Sequence, residues 1–270
     1  MIGAIIGDIV GSIYEFDNIK TKDFPLFSAE STFTDDTVCT VAVAESLLDG
    51  TSVVDSLRKW CRRYPRMSYG GAYRKWLMSD DPKPYNSWGN GSAMRVSPAA
   101  FLASSLEHAR KLAIQVTEIT HNHPEGIKGA LATTDAIWLL SDGGMDAEQV
   151  RKHIADTYAY DMNRSVDTIR PHYEFNESCQ GTVPEAIICA LEGADFEDVI
   201  RNAISIGGDS DTIAAIAGPI GEVRFANAIP EEIVLEALRR LPDDLRQVVL
   251  RMYAESSRHT GGYQMKLNVS

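Results

Sequence analysis

The stretch IGAIIGDIVGSIY, residues 2–14, decides how this chain of 270 residues folds. Its three glycines, Gly3, Gly7 and Gly11, recur every four residues, so on an α-helix they line up as one narrow small-residue stripe. Glycine is a poor helix former, and a helix carrying three of them gains something in return when another helix approaches closely along that face. The segment is therefore expected to form a helix at the centre of the fold. Asp8 interrupts its apolar run and no basic region precedes it, so it reads as mature structure and not as a secretory leader.

Outward from this helix the pattern stays helical, and no series of alternating strands bounded by hairpin turns follows. An all-α, single-domain architecture spanning 1–270 is expected, since no Gly/Ser linker or low-complexity block divides the chain. Helices are expected at about 36–49, 53–63, 70–79, 92–103, 106–118 and 125–141, the last opened by Pro124 in the favoured first turn. DAEQ at 146–149 has capping-box spacing and starts another. Further helices follow at about 183–192, 196–205, 211–218, 231–240 and 243–257, with an irregular stretch at 158–182 and a loose tail after about 258.

Composition narrows the function. The 38 acidic against 26 basic side chains give a net charge of −12, which repels phosphate backbones and argues against a nucleic-acid-binding surface, while an acidic pocket suits cations. Cys39, Cys61, Cys179 and Cys189 are too dispersed for a CxxC site and too few for a disulfide scaffold, which fits a reducing, cytoplasmic setting. No apolar run approaches the roughly 20 residues a membrane helix requires. A soluble protein is expected.

Two acidic clusters share one grammar. In FTDDTVCTVAVAESLL, residues 33–48, Thr34, Asp35, Asp36 and Thr37 precede an apolar helix; in GGDSDTIAAIAGPIGE, residues 207–222, Asp209, Asp211 and Thr212 do the same. Alone, each cluster reads as a helix cap, because carboxylates and hydroxyls accept the free N–H groups of a first turn. Together, the repeated order of carboxylates and then threonine favours a divided cation site, since such oxygens are hard ligands for Mg²⁺, Mn²⁺ or Ca²⁺. Glu15 stands at the end of the first helix; if that helix extends so far, Asp8 and Glu15 are two turns apart on nearly one face.

The loop NSWGNGSAMR, residues 86–95, offers glycine N–H groups, polar Ser87, Asn90 and Ser92, and a stacking surface in Trp88. It lacks the lysine of a P-loop and, on composition alone, reads as an ordinary turn. THNHPEG, residues 120–126, carries His121 and His123, but no cysteine or third histidine stands at zinc-ligand spacing. A helix-capping loop or a substrate contact is the better reading there.

Taken in order, GDIVGSIYE (7–15), FTDDT (33–37), SWGNGSAMR (87–95), THNHPEGIKGA (120–130), VPEA (183–186) and GGDSDTIAAIAGPIGE (207–222) resemble the ADP-ribosylglycohydrolase family. The resemblance implies a compact helical fold and a binuclear Mg²⁺ or Mn²⁺ site that cleaves the glycosidic bond between ADP-ribose and its acceptor. By position it assigns Thr34, Asp35 and Asp36 to the first metal motif and Asp209, Asp211 and Thr212 to the second. It places Glu15 near the metals and the scissile bond, Ser87, Trp88, Gly89, Asn90 and Gly91 in the loop that holds the ADP-ribose phosphates, and His121 against the ligand. Of Glu15 and the metal-bound aspartates, Glu15 is the expected proton handler, since a carboxylate not fully committed to a metal can still change protonation state. Trp88 stands where some relatives have tyrosine, and 158–182 aligns with no motif.

The implied partner is an ADP-ribosylated protein or small-molecule conjugate, with nucleic acid entering only as an ADP-ribosylated end. Cleaving a ribosyl bond builds positive charge on the sugar, which an acidic site favours. Two other readings share the scaffold: a non-catalytic ADP-ribose-binding protein, against which the completeness of both acidic motifs argues, and a metal-dependent phosphohydrolase, whose usual histidine ligands or phosphate-clamping basic cluster are not evident at the motifs.

Overall fold

The computed structural model describes residues 1–226 and 228–256, and the loose tail expected after about 258 lies outside the described residues. Fifteen helices make up the described chain. The first half holds α1 (Ile2–Gly11), α2 (Asp35–Asp49), α3 (Val53–Arg63), α4 (Gly71–Met78), α5 (Gly91–Met94), α6 (Ser97–Phe101), α7 (Leu106–Thr117) and α8 (Pro124–Ser141). The second holds α9 (Ala147–Tyr158), α10 (Val166–Ile169), α11 (Cys179–Glu192), α12 (Phe196–Ser205), α13 (Ser210–Arg224), α14 (Glu231–Arg239) and α15 (Asp243–Ser256). No strand occurs among the described residues; Gly89 and Ser178 form an isolated antiparallel bridge.

The centre of the fold is α1 lying along α13, the most extensive helix pairing among the described residues. Every residue of α1 is buried. The glycine stripe explains the contact: a Cβ at Gly7 would sit 2.1 Å from the Ala214 carbonyl oxygen, and one at Gly3 2.3 Å from that of Gly218. Both partners are small, so the two backbones touch and nothing larger fits between them. Around this axis α2, α8, α11 and α12 complete the core, where Ile5, Ile9, Ile187, Phe196 and Ile216 are all fully buried. The four cysteines are buried and unpaired by disulfides.

Several boundaries differ from expectation for local reasons. The first helix stops at Gly11 and Tyr14 N–H turns back to the Gly11 carbonyl at 2.8 Å, so Glu15 lies beyond the helix and does not share a helical face with Asp8. The expected helix at 92–103 splits into α5 and α6, because Pro98 in a continuous helix would clash with the Met94 carbonyl. α11 begins at Cys179, four residues before the expected 183, since Ser178 caps it by accepting the Gly181 N–H at 3.1 Å and Pro184 is carried inside. α13 continues through Pro219 to Arg224, with α1 packed directly against the proline turn. The capping box of Asp146 and Gln149 forms as its spacing predicts.

No helix among the described residues is long and apolar enough to cross a membrane.

Candidate active site

The first acidic motif is built on a buried aspartate. Asp8 of α1 is fully buried, and its carboxylate accepts the Thr34 N–H at 2.9 Å, the Thr34 hydroxyl at 2.6 Å, the Thr37 N–H at 3.1 Å and the Thr37 hydroxyl. A buried carboxylate requires such donors, and the two threonines of TDDT supply all four. Thr34 also caps α2, accepting the Asp36 N–H at 3.2 Å. With both threonines turned to Asp8, the intervening Asp35 and Asp36 line the cavity beside α1.

The second motif is held by its glycines and by a distant asparagine. Gly207 and Gly208 take positive φ of 71° and 78°, a conformation that favours glycine, and a Cβ on Gly208 would strike the Tyr173 ring at 2.4 Å. Asn18 clamps the Gly208 peptide from both sides, accepting its N–H at 2.7 Å and donating to its carbonyl at 2.8 Å. The same amide donates to the Glu15 carbonyl at 3.1 Å, so one side chain ties the Glu15 turn to the Asp209 loop. Lys20 adds a bond to the Tyr173 carbonyl at 2.6 Å.

These elements bring carboxylates together that are far apart in sequence. One oxygen each from Glu15, Asp209 and Asp211 lies within 4.8 Å of the others. Asp36 and Asp211 are held well above the usual carboxylate range, first by burial and then by the neighbouring acids. Burial together with the Asp209, Asp35, Asp8 and Glu177 charges pushes Glu15 up to about 7, and burial together with Asp8 pushes Asp35 up to about 7. Asp36 Oδ2 is buried without a hydrogen-bond partner. The N-termini of α2 and α13 both open on this cluster and oppose its charge, but a helix dipole offsets only a fraction of a unit charge each. Such a donor set, all oxygen, mutually repelling and partly unsatisfied, fits hard divalent cations.

The cluster forms one wall of a cavity of about 460 Å³, within the range of small-molecule sites. Its other walls carry Ser87, Trp88, Gly89, Asn90, Gly91 and His121, so the loop and the histidine share one space with Glu15, Asp35, Asp36, Asp209, Asp211 and Thr212. Thr34 is not among the lining residues; its side chain stands behind them on Asp8. The loop differs in detail from the sequence reading. The Gly89 N–H is engaged by Ser87 Oγ at 3.2 Å and the Asn90 N–H by the Glu177 carbonyl at 2.8 Å, so these two amides are not free for phosphate. The Asn90 side chain turns to Asp209, donating to its carboxylate at 2.6 Å. His121 lines the cavity, whereas His123 caps α8 by accepting the Glu125 N–H, which divides the H-x-H pair between two tasks.

Sequence reasoning missed Glu177, Phe175, Tyr85 and Arg95, all of which border the cavity. The segment 158–182 gave no periodic signal, yet its end supplies two of them. Phe175 and the half-exposed Trp88 both line the cavity, and Phe175 stacks with the exposed Phe16, ring centroids 6.4 Å apart. Arg95 is 1% exposed, and a wholly buried arginine at the end of the loop is a signal that sequence alone could not show.

The helical fold and the acid-lined cavity define a class, and the chain belongs to the ADP-ribosylglycohydrolase family, whose model matches residues 1–261. Among its relatives, the ADP-ribosylhydrolase ARH3 of Mus musculus is 25% identical, over 95% of this chain and 91% of the relative. The ADP-ribosylarginine hydrolase of Pseudomonas putida (strain GB-1) is 23% identical, over 87% of this chain and 72% of the relative. The fold is shared with a solved structure described as an ADP-ribosylglycohydrolase-related protein complex, at TM-score 0.69 and 23% identity, covering 94% of this chain and 97% of that one.

Proposed function

We propose that this protein is a metal-dependent hydrolase that cleaves the glycosidic bond between ADP-ribose and its acceptor, an ADP-ribosylated protein or small conjugate. The observation that carries the reading is the convergence of Glu15, Asp209 and Asp211 in one cavity with the 87–91 loop and His121. Family membership and relatives named as ADP-ribosyl hydrolases support it.

Asp35, Asp36, Asp209 and Asp211, with Thr212 beside them, are the residues that would hold two Mg²⁺ or Mn²⁺ ions, while Thr34, expected from the sequence among the ligands, is turned to Asp8 and orients the first motif. When bound, such cations neutralise the carboxylates and act as Lewis acids toward the sugar hydroxyls. The chain's own contribution is positional and protonic. Ser87, Trp88, Gly89, Gly91 and His121 hold the ADP-ribose part, with Trp88 stacking at the mouth, while Asn90 orients Asp209. The acidic wall favours the positive charge that grows on the ribose as its bond to the acceptor lengthens. Glu15, partly exposed and free of the helix, moves the proton: a carboxyl lifted toward neutrality can both give and accept one near pH 7.

The test is release of free ADP-ribose from a panel of arginine-, serine- and acetyl-linked conjugates in Mg²⁺ or Mn²⁺, with EDTA as control. Metal-dependent release from any of them supports the reading. Binding of ADP-ribose without release points to a binding protein, and faster release of phosphate from nucleotides points to a phosphohydrolase; either outcome removes it. Glu15→Gln should lower kcat by about 10²–10⁴-fold while sparing ADP-ribose affinity.

A further inference from the structure

The buried Arg95 has a task that neither the metal cluster nor the phosphate loop accounts for. Its Nη2 donates to Thr120 Oγ1 at 2.6 Å and to the Val116 carbonyl at 3.3 Å, and its guanidinium lies 5.9 Å over the Tyr73 ring. Thr120 Oγ1 in turn stands 2.7 Å from His121 Nδ1. A guanidinium has no acceptor, so at the first contact Thr120 must accept. Thr120 is fully buried, and its hydroxyl hydrogen then needs an acceptor, which His121 Nδ1 supplies. If Nδ1 carried a proton instead, the hydroxyl hydrogen would be orphaned beside a fixed positive charge. Burial and the Arg95 charge also hold the His121 ring well below the usual histidine range.

We propose that Arg95 and Thr120 are positioning residues that fix His121 as its neutral Nε2–H tautomer, so that the ring offers a donor to an oxygen of bound ADP-ribose. The geometry on the other side of the ring agrees: a Cβ at Gly91 would lie 3.2 Å from His121 Nε2 and one at Gly89 3.7 Å, so Nε2 faces the glycines of the 87–91 loop. The relay therefore runs Arg95 to Thr120 to His121 to ligand, with every hydrogen pointing toward the cavity. The ligand end rests on the functional reading above, whereas the tautomer is a property of the free protein.

Long-range ¹H–¹⁵N correlation spectra of ¹⁵N-labelled protein at pH 7, with His121 assigned by loss of its signals in His121→Gln, read the tautomer directly. The expected spectrum has an unprotonated Nδ1 and a protonated Nε2. Thr120→Ser should keep that pattern and the ADP-ribose affinity, while Thr120→Val should lose the pattern and weaken ADP-ribose binding about tenfold by calorimetry. A protonated Nδ1 in the unaltered protein overturns the proposal, and this spectrum decides it even if Thr120→Val does not fold. Retention of both pattern and affinity in Thr120→Val also overturns it. The expected tautomer in a protein that does not bind ADP-ribose would overturn the ligand role, together with the functional reading, and leave the tautomer assignment standing.

Discussion

Two buried acidic centres in this molecule are built on opposite terms. Asp135 on α8 is fully buried, and it is met by Arg110 through two bonds of 2.8 and 2.6 Å, by the Tyr158 hydroxyl at 2.7 Å and by His153 Nε2 at 2.9 Å. Asp36, also buried, faces Asp35, Asp209 and Asp211 and leaves Oδ2 without a partner. In the first centre the chain supplies its own counter-charge, and the acid serves to tie α7, α8 and α9 together. In the second, among the described residues, no arginine or lysine forms an ion pair with the inward carboxylates, Arg74 acting on Asp35 only through space, and repulsion is left standing in the fold. On the function proposed above, the compensation for this second centre would come from bound cations.

The comparison predicts effects of opposite sign. Asp211→Asn should abolish turnover, by on the order of a thousandfold or more, yet raise the melting temperature of the metal-free protein because it removes repulsion. Asp135→Asn should do the reverse: urea unfolding should show a loss of about 3 kcal/mol, with turnover retained in the folded protein. Equal destabilisation by both substitutions would break the contrast.

A smaller effect concerns pH. Glu15 and Asp35 rise from the ordinary carboxylate range to about 7 in the folded chain, so between about 4.5 and 7 the folded state holds protons that the unfolded state has released. Their contribution to stability is therefore present below that window and lost as pH rises through it. The metal-free protein should melt at lower temperature at pH 8 than at pH 6, and MgCl₂ should raise the melting temperature at pH 8 far more than at pH 5, where protons compete for the same oxygens. Asn90→Ala should have the mildest consequence, a 10- to 100-fold weaker metal affinity of the order seen when a ligand loses its orienting bond. Isothermal titration with Mn²⁺ would measure it, and an unchanged affinity would separate the loop from Asp209.

The sequence made the helical class legible because the glycine stripe and the caps act locally, and most helices run within a few residues of their expected limits. The repeated order of carboxylate and threonine pointed to both halves of the acidic wall. What it could not show is which hydrogen bonds each residue would make across the fold. Asp8 read as a possible companion of Glu15 and is instead the anchor on which Thr34 and Thr37 close, a role visible only when α1 and α2 meet. Asn90 read as a phosphate contact and grips Asp209, 119 residues away. Glu177 and Phe175 lie in a stretch without periodicity, since a segment that lines a cavity has no single face to bury.

The docking of α1 on α13 also sets a timetable. The helix that begins the chain finds its closest partner more than 200 residues later, so contacts at the heart of the molecule are among its least local, and such topologies fold slowly. At about 5–20 residues per second, the ribosome exposes the apolar surface of α1 for roughly 10–40 s before α13 has been made. During that interval Glu15 and the TDDT turn exist without Asp209 and Asp211. The acidic wall is thus incomplete in the nascent chain until α13 has been made.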